Sequence, residues 1–133
     1  MASILKVDTI QNVAGGSAST PLQLEQGRAK AWVNFNGTGV VAIRDSYNVS
    51  SITDNGTGDY TVNFTTSLNN ANYAFSGAYS NNVGVVASGG IHVGGSAANF
   101  PPTTSSFRFT TSGAYTSATH DPTYVSVVIF GDQ

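Results

Sequence analysis

The tetrapeptide Asn-Gly-Thr-Gly occurs twice in this chain, at residues 36–39 and 55–58, each time between stretches of alternating apolar and polar residues. Asn-Gly supplies the positive backbone φ angles that tight hairpin turns require. Ahead of the first copy, Ala31, Val33 and Phe35 alternate with Lys30, Trp32 and Asn34, and residues 40–44 follow it. Residues 47–53 lead into the second copy, and after it Tyr60, Val62 and Phe64 alternate with Thr61, Asn63 and Thr65. A period of two marks half-buried strands. The two turns therefore predict consecutive β-hairpins and commit the centre of the chain to antiparallel sheet.

The remaining pattern extends the sheet. Strands are expected over residues 73–79, 83–87, 91–93, 107–111 and 124–130. In the first of these, Tyr73, Phe75, Gly77 and Tyr79 share a face. The last is apolar on both faces, with Val125, Val127 and Ile129 opposite Tyr124, Val128 and Phe130. That predicts burial on both sides, in the middle of a sandwich or at a subunit interface. The only helix expected is a turn near residues 67–71. Residues 4–10 alternate as a short strand, 12–21 form a Gly/Ser/Ala/Thr connector, and 22–30 are open between strand and loop. A boundary near Arg28 follows. The expected architecture is all-β: an antiparallel β-sandwich head over residues 29–133, carried by an extended N-terminal arm over residues 1–28.

Composition bounds function. Only 12 of 133 residues are charged, 9%, against about 25% in ordinary soluble domains. Gly, Ser, Thr and Asn together supply 58 residues. A net charge of −2 and a pI near 5.4 argue against a nucleic-acid binder. No apolar run approaches the roughly 18 residues of a membrane helix, and residues 1–8 lack the basic and apolar regions of a secretory signal. No cysteine is present, which excludes disulfides and thiolate metal sites.

Catalytic constellations are equally sparse. The chain has seven carboxylates and two histidines, and no nucleophile elbow, zinc-protease helix, Walker loop or dinucleotide fingerprint. His120 and Asp121 are adjacent, but a loop pair without a nucleophile reads as a turn begun by Asp-Pro. Residues 54–59 superficially resemble a calcium loop but lack its ligand order and distal Glu. His92 stands alone between glycine pairs and reads as a surface or subunit-contact residue. No catalytic, cofactor or metal site is expected. The Asn-x-Ser/Thr sequons at Asn36, Asn48, Asn55 and Asn63 carry no weight in a chain so rich in these residues.

Ligand binding remains. Aromatic side chains in polar loops offer large, rigid contact area. The candidate receptor-contact set is Tyr79, Phe100 and Tyr115, with Asn81, Asn82, Asn99, His120 and Asp121 as hydrogen-bonding neighbours. Trp32 is a weaker candidate, because its mid-strand position favours packing over contact.

Residues 5–12, Leu-Lys-Val-Asp-Thr-Ile-Gln-Asn, resemble the start of many small tail-fibre and structural proteins of tailed phages of marine bacteria and cyanobacteria. Residues 29–39 (Ala-Lys-Ala-Trp-Val-Asn-Phe-Asn-Gly-Thr-Gly), Ile43-Arg44, Tyr47-Asn-Val49 and 52–64 resemble a module that recurs in those fibres. The likeness covers mainly residues 4–12 and 29–79; the part beyond about residue 81 has no counterpart there and fits a variable tip. The module defines no catalytic or ligand-binding residues to carry over. The resemblance implies a non-enzymatic virion protein, a homotrimer made in the host cytoplasm and released by lysis. It implies docking on other tail or virion proteins through residues 1–28 and on a host surface glycan through the head, without nucleic acid or membrane insertion. The rival readings are a capsid decoration protein, a glycan-active enzyme and a free sugar-binding module.

Overall fold

The computed structural model describes residues 3–80, 88–94, 99–112 and 119–133. One short helix, α1 (Pro21–Gly27), precedes eight strands: β1 (Ala31–Asn36), β2 (Ala42–Tyr47), β3 (Val49–Gly56), β4 (Asp59–Phe64), β5 (Ala74–Ser80), β6 (Ser88–His92), β7 (Ser106–Thr111) and β8 (Tyr124–Phe130). Their order is β2-β1-β8-β5-β6-β7-β4-β3, with every pair antiparallel. β6 pairs with both β5 and β7, so the strands make one continuous, nearly barrel-shaped sheet where their spacing suggests two packed ones.

The open seam lies between β2 and β3, which are consecutive in the chain and joined by Asn48 alone. Asn48 has φ +55°, a conformation Asn tolerates better than most residues. Its Nδ2 donates to the carbonyls of Lys30 and Thr66, both at 3.0 Å, and its Oδ1 accepts from the Thr66 amide at 2.7 Å. One side chain thus ties the corner to the chain's entry into the head and to the exit of β4.

Both expected hairpins form, β1–β2 and β3–β4. In β1, Ala31, Val33 and Phe35 are buried while Trp32, Asn34 and Asn36 are half-buried. In β4, Tyr60, Val62 and Phe64 are buried, as the alternation requires. Phe107 and Phe109 of β7 stack on each other at 5.7 Å, and Phe35 meets Tyr60 edge-on at 5.1 Å. Each such ring contributes roughly 1.5–3 kcal/mol through burial, as do Val33, Val62, Val125 and Ile129, buried in the same core.

Four local expectations are corrected. β8 matches residues 124–130 but is buried on one face only: Val125, Val127 and Ile129 are buried, while Tyr124 and Phe130 are exposed. A central strand in a single curled sheet is hydrogen-bonded on both edges yet covers the core with one face. Residues 4–10 form no strand; Ile10 and Ser19 make an isolated two-way bridge at 2.8 Å. Residues 67–71 are not helical, and Leu68 is pinned instead by its amide to the Thr104 carbonyl, 2.9 Å. Residues 21–27 are the helix. Thr20 accepts from the Gln23 amide and Gln23 accepts from the Thr20 amide, a capping box with Pro21 in the first turn. The expected strand over 83–87 lies outside the described residues.

Residues 3–28 stand almost wholly exposed. Their tie to the head is Lys30, only 1% exposed, whose ammonium donates to the Glu25 carboxylate and, at 2.7 Å, to the Glu25 carbonyl. That hydrogen bond holds the Glu25 carboxyl below its usual range. A cleft of about 610 Å³ separates α1 from the preceding chain and is lined by Leu5, Val7, Ile10 and Leu24 among others.

Candidate functional site

Strand directions bring both Asn-Gly-Thr-Gly turns to one end of the sheet, together with the chain leading into β8. The segment His120-Asp121-Pro122-Thr123 lies between the two turns and binds both. From the first turn, the Gly37 amide donates to the Pro122 carbonyl at 2.9 Å, and Thr38 Oγ1 donates to the Asp121 carbonyl at 3.0 Å. From the second, the Gly58 amide donates to Asp121 Oδ1 at 2.7 Å. Tyr60 links the two, its hydroxyl lying 3.1 Å from the Gly37 carbonyl and 2.9 Å from Asp121 Oδ1. Burial, reinforced by the adjoining Asp121 carboxylate, pushes that hydroxyl far above the ordinary tyrosine range. Thr111 closes the network by donating to the His120 carbonyl at 2.7 Å.

One of the expected contact residues, Asp121, therefore holds the turns in place. Asp121 has its carboxylate oxygen Oδ1 occupied by an amide and a phenol. His120 packs edge-on against Tyr79 at 4.9 Å, with its Nε2 buried and unpartnered among the described residues. Tyr79 belongs to the core rather than to an open surface. It is 3% exposed, its ring covers Gly89 on the neighbouring strand, and its hydroxyl donates to the Ser112 carbonyl. Burial raises its pKa.

Asn99 is exposed. Phe100 is half-buried beneath the Arg108 guanidinium, 3.9 Å from its ring centroid. Arg108 in turn makes a two-pronged pair with Asp59, at 2.9 and 2.7 Å. That stack occupies one face of Phe100 with protein. Asn81, Asn82 and Tyr115 lie outside the described residues. The backbone flanking them is at this same end, since Ser80 pairs with Ser88 and Ser112 bridges to Thr119. His92 is exposed at the end of β6.

A second feature sits on the outer face of the sheet. Over β1, β8 and β5 a depression of about 360 Å³ is floored by Val128, Ser126, Ser76 and Ala78 and walled by Trp32 and Asn34. Register places Trp32, Val128 and Ser76 in one row and Asn34, Ser126 and Ala78 in the next. Asn34 Nδ2 donates to Ser126 Oγ at 2.8 Å. At one end of β8 the Arg44 guanidinium covers the Tyr124 ring at 4.3 Å. The mid-strand position of Trp32 argues for packing, yet alternation alone already turns it away from Ala31 and Val33; that was the signal for this face.

Among the described residues no three His, Cys, Asp or Glu side chains cluster closely enough to hold a metal ion, and no helix is long and apolar enough to cross a membrane. No protein-family model, curated protein or solved structure matches this chain.

Proposed function

We propose that this chain is a structural virion protein of a tailed phage, a tail fibre or fibre tip that assembles as a homotrimer through residues 1–28 and meets the host surface glycan with its head. The observation that carries the reading is the apolar surface of the arm. Ile4, Leu5, Val7, Ile10, Val13, Leu22 and Leu24 are all exposed, within a stretch tied to the head mainly through Glu25 and Lys30. Isolated surface hydrophobes are ordinary, but a concentration of them marks a surface meant to be covered by another molecule. Three symmetric copies bury such a stretch at low cost in sequence. The likeness of residues 4–12 and 29–79 to phage fibre modules supports the same assignment, as does a head whose surface offers hydroxyls and amides in place of charges.

The test is the oligomeric state of the full chain. Light scattering and native mass spectrometry are expected to give a trimer that Val7→Asp with Leu24→Asp converts to a monomer with an unchanged head spectrum. A wild-type monomer at micromolar concentration overturns the reading. Antibody labelling of phage particles then separates a fibre from a capsid decoration protein, since label on the shell and none on the tail assigns the latter.

A further inference from the structure

We propose that the outward depression over β1, β8 and β5 binds a neutral oligosaccharide, with Trp32 as the stacking platform and Asn34, Ser76 and Ser126 as its hydrogen-bonding partners. The proposal rests on the reading that the head meets glycan, and it moves the contact from the loops to the sheet. At about 360 Å³ the depression falls within the range of small-molecule sites.

Its floor mixes Val128 and Ala78 with the hydroxyls of Ser76 and Ser126, and Trp32 and Asn34 stand beside it, so an aromatic ring lies next to hydroxyl and amide donors, the pairing that suits a sugar ring with one apolar face and hydroxyls at its edge. The rows through Val128 and Ser126 are about 7 Å apart along β8, which suits a ring lying against the indole with its hydroxyls over the next row. Ser126 Oγ already accepts from Asn34, so its own proton is free to be donated, and Asn34 keeps a second amide proton to donate. The two formal charges at the rim sum to zero: the Arg44 guanidinium is taken up by the Tyr124 ring, by the Thr123 carbonyl at 2.6 Å and by Asn34 Oδ1 at 3.4 Å, and Asp45 follows it on β2. Nothing there selects an anion or a cation, and so the class indicated is an uncharged glycan.

Trp32 is the chain's single tryptophan, so its fluorescence reports this site alone. Maltohexaose, cellohexaose and mannohexaose are titrated against the full-length protein, with a hyaluronan hexasaccharide as the acidic control. At least one neutral probe is expected to shift the emission saturably, and the acidic one is not. Ala78→Phe, an outward substitution that fills the floor, is expected to weaken that binding by about tenfold or more with circular dichroism and oligomeric state unchanged. Three results overturn the proposal: no neutral probe perturbs Trp32; affinity is unaltered by Ala78→Phe but lost in Phe100→Ala; or Ala78→Phe dissociates the oligomer, which makes this face a subunit contact. The second leaves glycan binding by the head standing while removing this site. Loss of the trimer in the wild type counts against the fibre reading and leaves the fluorescence result intact.

Discussion

The two Asn-Gly-Thr-Gly turns have the same four residues and are held by the same segment, yet they use their glycines in opposite ways. In the first, the second residue is the buried one. Gly37 lies where a Cβ would come within 2.5 Å of the Tyr60 hydroxyl and 2.9 Å of the Pro122 carbonyl, while Gly39, at φ +68°, has nothing within 4 Å. In the second, the fourth residue is buried. Gly58 has φ +64°, and a Cβ there would fall 2.7 Å from both the amide and the carbonyl of His120. A local motif fixes that the chain reverses; the neighbours it reverses against decide which glycine is indispensable.

That contrast can be broken glycine by glycine. Gly58→Ala combines a left-handed backbone with a clash against main chain that cannot move alone, and is expected to cost about 3 kcal/mol or more. Gly37→Ala meets the end of a side chain as well as a carbonyl, and its cost is about 2 kcal/mol. Gly39→Ala pays only the left-handed penalty, about 1 kcal/mol. Urea unfolding midpoints at unchanged slope measure all three. Equal losses at Gly37, Gly39 and Gly58 would show that conformation alone governs both turns.

Tyr60 spans the two turns, and its ionisation offers a second way to sharpen the comparison. Its hydroxyl is pushed up far beyond the usual value of 10, and Tyr73, whose hydroxyl lies 3.2 Å from the carbonyls of Thr103 and Ser106 at the opposite end, is raised by burial to about 12. Folded-state values above the unfolded one mean that this stabilisation is complete below pH 10 and is lost as pH climbs through the folded values. Each group adds a slope of about 1.4 kcal/mol per pH unit in that window. Tyr60→Phe is expected to remove one such slope and to cost about 1–2 kcal/mol at neutral pH by deleting the shared hydrogen bonds. Tyr73→Phe removes the slope between pH 10 and 12 without loosening either turn. Unfolding free energies measured from pH 8 upward separate the two, and an alkaline limb unchanged by Tyr60→Phe would mean that the phenol is not the link between the turns.

The sheet was legible where side chains alternate. β8 begins and ends where its pattern does, and both central hairpins form, because a period of two is set by the strand itself. The helix was also written in the sequence, as Thr20-Pro-Leu-Gln23, but Leu22 and Leu24 sit two apart and point to a strand when read without the cap. Residues 4–10 have a strand's alternation and no strand partner among the described residues. Burial of Tyr79 depends on Gly89 from a different strand, and the occupation of Asp121 depends on Gly58, 63 positions away in the chain. Neither relation has any local trace. Of the loop residues the sequence names as a contact set, Asp121 is exposed and also fastens both turns, a second role that only the fold reveals.

The smallest effect expected concerns the asparagines that open the two turns. Asn36 Nδ2 donates inward, to the carbonyls of Thr38 at 2.6 Å and Val40 at 3.2 Å, and so closes its own turn. Asn55 Nδ2 instead reaches across to side chains, Thr61 Oγ1 at 2.9 Å and Asp59 Oδ1 at 3.3 Å. Removing Asn36 takes away a donor that fixes two main-chain carbonyls of its own turn, whereas Asn55 binds side-chain oxygens, one of which, Asp59 Oδ1, keeps the Arg108 guanidinium as a donor. Asn36→Ala is therefore expected to cost about 1 kcal/mol and Asn55→Ala about half that. The double substitution is expected to be additive, because the pairs share no partner. A coupling between the two sites larger than about 0.5 kcal/mol would show that the turns communicate through the 120–123 segment as a single unit, and that the difference in how they use their glycines is a property of the pair rather than of each turn.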